Sequence, residues 1–436
     1  MALLDTDLAL ARESYYAATA PRGPDRSALQ GRIEADVAIV GGGLAGLSAA
    51  LELAERGRRV VLLEARQIGS GASGRNGGQA IHGLACSMDE IEAQLGLDEA
   101  RRVFAMSIDA LALIRSRCAR HGIDCDWRDG FLGVAVQPRK VRSLYDDAER
   151  LERLYGWQQQ PIERADLPNW IASPRVRGAV YDARSGHLHP LKYALGLARA
   201  AEQAGAQLFE HSPVTALGEG PVPVLRTAQG EVHARQVLLA GNVYLQGLVP
   251  ALRSRIMPVG TYIVGSEALA PARAQALIPC GAAVCDNNWV LDYYRLSADH
   301  RMLYGGRATY STLTPLRMAE GLRQRMVQAF PQLQDVAVQY AWGGFVDVSM
   351  NRAPDFGRLP ARGHAPNVYY LQGFSGHGLA LTGLAGQLVA QAMAGDAERF
   401  DTFARLRHRP FPGGAHLRTP LLVLGMAWYR LRDRFW

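Results

Sequence analysis

Lysine is almost missing from this chain. Only Lys140 and Lys192 occur in 436 residues, so arginine carries the formal net charge of +7. The arginines are scattered (Arg56, Arg58, Arg59, then Arg115, Arg117, Arg120) rather than massed in one block. That pattern speaks for ordinary solvated charge and against a nucleic-acid surface. The five cysteines (Cys86, Cys118, Cys125, Cys280, Cys285) include no CxxC pair, and no histidine stands at metal-ligand spacing. A metal centre and a disulfide framework are therefore not expected, and an odd thiol count fits a reducing compartment. The N-terminal stretch carries Asp5, Asp7 and Glu13 instead of a basic segment followed by an apolar one, so a cytoplasmic location is expected. Low-complexity runs and internal repeats are also lacking, which excludes a solenoid.

What is present is the composition of a soluble globular protein, 48% hydrophobic and 20% charged. The length exceeds one ordinary domain and suggests two intertwined units of roughly 200 residues each.

The most informative segment begins at Ala35. Ala35–Val40 reads as a short buried strand running straight into Gly41-Gly42-Gly43-Leu44-Ala45-Gly46. Leu44, Leu47, Leu51 and Ala54 then recur at helical spacing, and Arg59–Leu63 forms a second apolar strand ending at Glu64. In this β-α-β unit Gly41 makes the tight turn, Gly43 lets backbone approach a pyrophosphate, and Gly46 lets the helix sit close to the strand. The N-terminal N–H groups at Leu44 and Ala45 face the phosphates. Glu64 lies where an acid accepts hydrogen bonds from an adenosine ribose.

A dinucleotide is thus expected, and later segments select FAD. Gly69–Gln79 is too rich in glycine for helix or regular strand. It suits a backbone running beside a flat ligand, with Ser73, Gly74, Arg75, Asn76, Gly77, Gly78 and Gln79 as contacts. Val232–Leu239 reads as a buried strand returning to the cofactor at Ala240-Gly241. Asn367–Gln372 is another, followed by Gly373-Phe374-Ser375-Gly376-His377-Gly378 and a resumed helical pattern. That second helix N-terminus would stabilise negative charge on the pyrimidine edge of a reduced flavin. There is no second GxGxxG of comparable quality, hence no dedicated NADPH domain.

These segments stand beside GASGRNGGQ at Gly71–Gln79, SGHLHP at Ser185–Pro190 and AGNVYLQGLVP at Ala240–Pro250. LDYYRL at Leu291–Leu296, SGHG at Ser375–Gly378 and the Phe411–Pro420 segment continue the series. Over nearly its whole length the chain resembles the FAD-dependent amine and amino-acid oxidases of the D-amino acid oxidase superfamily, which includes glycine oxidase and sarcosine oxidase. Within that superfamily the motifs most resemble those of the branch that oxidises gamma-glutamylated putrescine. The resemblance implies an α/β fold, with a doubly wound, Rossmann-type FAD-binding domain and an inserted α+β substrate domain with a mixed sheet. The FAD domain would comprise residues 30–85, 190–245 and 343–400, the substrate domain 86–189 and 246–342, with a tail helix over 401–436. Residues 89–121 are helical in pattern, while Met257–Gly265 and Arg301–Gly305 read as strands. Ala65, Val214 and Gly344 join the expected cofactor contacts. Sarcosine oxidases of the family attach flavin through a cysteine shortly before a Pro-Asp pair. Trp342–Asp355 contains none, so FAD is expected to be non-covalent.

The implied reaction is oxidation of an amine by hydride transfer to flavin N5, giving an imine that hydrolyses to an aldehyde. Oxygen, reduced to hydrogen peroxide, or another acceptor would then reoxidise the flavin. Because the amine must be neutral, positioning and desolvation suffice and no catalytic triad is needed. His377 is the leading titratable candidate, with Tyr294 beside it as a catalytic candidate. Tyr262, Trp289, Tyr293 and Tyr294 could wall an alkylamine slot. Arg295 and Arg307 could hold a carboxylate, and His187 and His189 would shape the substrate channel. Some relatives use a lysine near the flavin to promote reaction with oxygen, and Met302–Gly305 has none. Either another cation serves there, or reoxidation uses an acceptor other than oxygen, and the alternative reading is a quinone-linked dehydrogenase of amino acids or secondary amines. Its apolar tail, Leu421–Leu431 with Arg432, Arg434 and Trp436, could lie at a membrane interface as a peripheral contact, although it is too short to span a bilayer. A more remote alternative is a tRNA-modifying flavoprotein.

Overall fold

Alternating apolar side chains build the first sheet. In the strand Gly31–Val40, Val37 and Ile39 pack to one side, while Ala38 and Val40 pack to the other. Burial on both faces is the condition under which a parallel strand reads as a continuous apolar run. The computed structural model describes residues 7, 9–10, 14–245, 247–309, 317–361 and 366–412, apart from the side chains of 307–309. The sheet has eight strands. Val368–Gln372, Gly230–Leu239, Gly31–Val40, Val60–Leu63 and Gln207–Phe209 run parallel in that spatial order. Asp355–Arg358 is an antiparallel edge, and Val224–Arg226 with Ala216–Gly218 forms a side branch.

The helix Leu44–Glu55 lies on one face, between Pro190–Gln203 and Gly378–Met393. Being covered on several sides, it is apolar nearly all round. Leu44, Leu47, Leu51 and Leu53 are each about 1% exposed or less, and each such burial contributes about 1.5–3 kcal/mol.

The second sheet has nine strands. Its path runs Val338–Ser349, Ile256–Ser266, Met302–Thr309, Tyr293–Leu296, Ala283–Asp286, Arg128–Ala135, Gly178–His187 and Gln79–Ala80, with Gln160–Ile162 paired to Gly178–His187 off the path. Only Ala283–Asp286 and Arg128–Ala135 pair in parallel, which makes it the expected mixed sheet. Phe330, Met326 and Leu322 of the Met318–Ala329 region fill its core with Tyr262, Tyr294 and Tyr304.

Three local expectations change. Residues 89–121 form two helices, Met88–Leu95 and Leu97–His121, broken at Gly96. Val338–Ser349 passes without interruption through residue 343, where a division between domains was expected. One strand therefore belongs to the second sheet and also delivers residues to the cleft. The short helix Glu398–Ala404 crosses the expected start of the tail at 401. The tail beyond residue 412, including Leu421–Leu431, lies outside the described residues.

Candidate active site

At the C-terminal ends of the parallel strands lies a cavity of about 430 Å³, and a second of about 740 Å³ opens beside it. They share Ala72, Ser73, Arg75, Asn242, Phe374 and Thr382, so they form one continuous site. Both volumes fall in the range of about 300–1,000 Å³ usual for small-molecule sites.

The glycine loop shapes the first cavity. Gly41 has φ +111°, and a Cβ there would stand 2.6 Å from the Ala240 carbonyl oxygen. At Gly46 a Cβ would meet the Gly41 oxygen at 2.1 Å, so only glycine lets this helix approach its own strand. Gly43 is the N-cap, and Leu44 N–H donates to Ser73 Oγ at 2.9 Å. Glu64 accepts from Gly42 N–H at 2.7 Å and from Arg66 N–H at 2.9 Å. Burial pushes its carboxyl above the usual range, and these two N–H groups pull it back. The acid thus stiffens the loop, and its remaining lone pairs can serve a ribose. Gly41, Gly43, Ala45, Glu64, Ala65, Ser73, Gly74, Arg75, Val214, Ala240, Gly241 and Phe374 all line this cavity.

The larger cavity is bounded by Leu44, Ser73, Arg75, Asn76, Gly77 and Gln79. Gly344, which lies against Arg75, and the turn Phe374, Ser375, Gly376, His377 and Gly378 also line it. Gly46, Gly78 and Gly373 support these walls without lining either cavity. The polar side chains of the glycine run hold the run itself. Asn76 Nδ2 donates to the Ala72 and Ser73 carbonyls, while its Oδ1 accepts from Gly78 N–H at 2.8 Å. Gln79 Nε2 donates to the Val284 carbonyl at 3.0 Å. Arg75 is buried; its guanidinium pairs with Asp7 and donates to the Ser70, Gly71 and Gly343 carbonyls.

His377 is the N-cap of Gly378–Met393. Its Nε2–H donates to the His82 carbonyl at 2.9 Å. Burial, then the neighbouring His82, push its imidazole down to about 4, so the ring is neutral near pH 7. The turn before it is held by Asp347, whose carboxylate accepts from Gly373 N–H. Desolvation pushes Asp347 up to about 6 against the pull of the surrounding N–H groups.

Strand alternation divides the aromatic candidates. Tyr293 faces the larger cavity, its ring lying against Gly77 and Gly305, where a Cβ would come within 2.8 and 2.1 Å. Tyr294, the next residue, points to the opposite face and stacks on Tyr304 with centroids 5.2 Å apart. Thr261 and Ile263 line the cavity, so Tyr262 between them turns into the core. Tyr294 and Tyr262 are therefore core residues, as the period of two requires. Trp289 lines the cavity and is 45% exposed.

Arg295 is also a correction. It is 4% exposed and lines neither cavity. Its guanidinium donates to the Gly77 carbonyl at 2.8 Å, the Leu188 carbonyl at 2.9 Å and Tyr16 Oη at 3.1 Å. It braces the glycine run from behind. Arg307 lies in the strand Met302–Thr309, and its side chain falls outside the described residues. His187 and His189 do not shape the channel. His187 Nε2–H donates to the Gly281 carbonyl, and His189 Nδ1 caps Pro190–Gln203 by accepting from Lys192 N–H. Lys140 and Lys192 line neither cavity.

Sequence reasoning missed Asp347, Arg352 and the apolar liners Ile81, Leu84 and Leu291. Asp347 carried a readable signal, an acid inside the apolar alternation of Phe345–Val348. Arg352 sits in a turn that no periodicity marks.

The residues present fit FAD. The first cavity offers a glycine loop and a helix N-terminus for the pyrophosphate, together with an acid at the ribose position. The second is a broad slot bounded by backbone and a second helix N-terminus. Comparison with known proteins agrees. Residues 36–392 match the DAO family, described as FAD dependent oxidoreductase. Gamma-glutamylputrescine oxidoreductase of Escherichia coli (strain K12) is 44% identical, over 97% of this chain and 98% of that protein. Glycine oxidase of Geobacillus kaustophilus is 26% identical over 86% of this chain and 97% of that protein. Among solved structures, L-amino acid deaminase from Proteus vulgaris shares the fold with a TM-score of 0.71. It is 18% identical, over 89% of this chain and 100% of that one. None of the described helices is long and apolar enough to cross a membrane. With a glycine-loop cradle, a flavin-sized slot and a family match spanning most of its length, this chain belongs to the DAO family of FAD-dependent oxidoreductases.

Proposed function

We propose that the enzyme oxidises the primary amine of a gamma-glutamylated polyamine, gamma-glutamylputrescine or a near relative, to the imine that hydrolyses to an aldehyde. The observation that carries this reading is the match along almost the entire length of both chains with the Escherichia coli enzyme of that name. The chemistry of the larger cavity supports it.

Bound flavin supplies the two-electron acceptor. The protein's own part is to deliver a neutral amine. Val259, Ile263, Leu291, Tyr293 and Trp342 give the slot an apolar and aromatic wall. Desolvation there disfavours the ammonium form, lowering the amine's pKa without a dedicated base. Neither titratable group at the turn is set up as a strong base. Burial pushes the His377 imidazole down to about 4, and Asp347 is engaged by Gly373 N–H. Catalysis would therefore rest on positioning and dehydration.

Steady-state assays with gamma-glutamylputrescine, putrescine, sarcosine, pipecolate and D-amino acids test the assignment. Turnover of another amine with none of the glutamylated one would overturn it. Reoxidation by oxygen is part of the proposal, and one hydrogen peroxide per turnover is its signature. A quinone- or dye-dependent rate without peroxide would make the enzyme a dehydrogenase.

A further inference from the structure

Arg295 braces backbone, and Arg75 is spent on Asp7 and carbonyl groups. That leaves Arg352 as the other arginine lining the larger cavity. Among the described residues, no carboxylate or carbonyl is paired with its guanidinium. The acid of the same cavity, Asp347, is turned to Gly373 N–H. Among the described residues its guanidinium is thus without a counter-ion, and it stands close enough to His377 and the Cys86 thiol to act on both.

Its turn is built to hold it there. Arg352 has φ +61°, a left-handed conformation uncommon for a residue other than glycine. Asn351 fixes the turn, its Oδ1 accepting from Ala353 N–H and Ser349 Oγ–H while Nδ2 donates to the Arg407 carbonyl. Ser349 N–H in turn donates to Ser375 Oγ, tying this turn to the one that carries His377. A sparsely populated backbone geometry persists only where the surrounding structure holds it, and such geometries cluster at ligand and active sites.

The cavity also has an inside and an outside. Trp342 and Phe345 are 1% and 0% exposed, whereas Trp289 and Met350 are 45% and 46% exposed. Arg352 is itself partly exposed and stands two residues from Met350, which puts it with the exposed rim of the lining rather than with the buried wall. A ligand that puts an apolar amine chain against the buried wall would leave its far end at this rim.

We infer that Arg352 binds the carboxylate of the substrate, selecting amines whose far end carries an amino-acid carboxylate over uncharged acylated amines. This rests on the proposed function for the identity of the amine, but not for the existence of the anion site. A guanidinium fork matches a carboxylate bidentately, and lysine reproduces the charge without the fork.

The test uses two unreactive probes with the FAD-loaded enzyme: gamma-glutamylbutylamide, which lacks the terminal amine, and its α-carboxamide. Binding is read from perturbation of the flavin's visible spectrum. Arg352→Gln is expected to raise Kd for the carboxylate about 10–100-fold, the worth of a charge-assisted hydrogen bond. Binding of the carboxamide should change less than about twofold on the same scale. Arg352→Lys should fall between wild type and Arg352→Gln, and it serves as the decisive variant if Arg352→Gln does not fold. An equal effect on both probes, no effect on either, or wild-type enzyme that does not prefer the carboxylate would overturn the inference. An enzyme that binds the carboxylate through Arg352 yet is not reduced by gamma-glutamylputrescine would lose the proposed function and keep the anion site.

Discussion

The guanidinium of Arg295 donates to the carbonyl of Gly77 at 2.8 Å, across 218 residues of chain. This contact joins the second sheet to the glycine run that walls the cofactor site. Replacing Arg295 by methionine leaves the Gly77 and Leu188 carbonyls buried without this donor, each at a cost of about 1–3 kcal/mol. The variant should unfold at lower temperature and retain less FAD, while its preference for carboxylate-bearing amines is unchanged. Thermal unfolding, FAD content and Kd for the two probes check this. Normal stability with selective loss of carboxylate binding would return Arg295 to a substrate-holding role.

Asp347 holds the Gly373–Gly376 turn through an N–H bond, and burial, which pushes its carboxyl up to about 6, works against the charge rather than for it. Asp347→Asn should therefore keep both fold and flavin. Asp347→Ala should lose about 1–3 kcal/mol and bind FAD at least tenfold more weakly, as equilibrium titration of the apoenzyme would show. Equal behaviour of the two variants would contradict this role.

The buried histidines set an acid limit on stability. His187 and His189 are pushed down to about 3, and His377 to about 4, mainly because burial removes water from the charged ring. The unfolded value is about 6.5. Between about 6.5 and 4 the unfolded chain binds more protons, so stability falls as pH falls through that window. Asp286 and Asp347, raised to about 6, act oppositely, losing their contribution as pH rises from the ordinary carboxylate range through about 6. Thermal unfolding at pH 7 and pH 5 should show a smaller difference for His377→Gln than for wild type. The pH profile of kcat/KM should show no limb that disappears in this variant. An unchanged unfolding difference, or loss of such a limb, would contradict a neutral, structural His377.

The flavin should leave the protein on acid precipitation. Trp342–Asp355 carries no cysteine. Cys285 does line the larger cavity, but burial and the neighbouring Asp286 and Asp292 push its thiol well up. A suppressed thiolate is a poor nucleophile. Colour in the supernatant is expected; a yellow pellet would reveal a covalent bond.

What could be read from sequence was local. The β-α-β unit at Ala35–Glu64 announces itself because glycine placement, helical period and terminal acid lie within one short stretch; its helix and second strand match within a residue, while the first strand starts four residues earlier, at Gly31. The Gly373–Gly378 junction was legible for the same reason. The substrate wall was not, because it assembles from strands far apart in sequence. Residue type alone does not say which face of Tyr293–Leu296 meets the cavity, so Tyr293 and Tyr294 looked equivalent until register separated them. Arg295 looked like a ligand because a buried arginine that serves backbone carbonyls has the same sequence as one that serves substrate. Arg352 escaped notice because its position depends on a left-handed turn held by residues from separate segments.

Anaerobic mixing of the FAD-loaded enzyme with gamma-glutamylputrescine tests the central claim most directly. The account predicts full loss of the flavin's visible absorbance, faster than with putrescine, sarcosine, pipecolate or D-amino acids. An oxidised flavin that persists with gamma-glutamylputrescine, while one of those other amines bleaches it, would contradict the account.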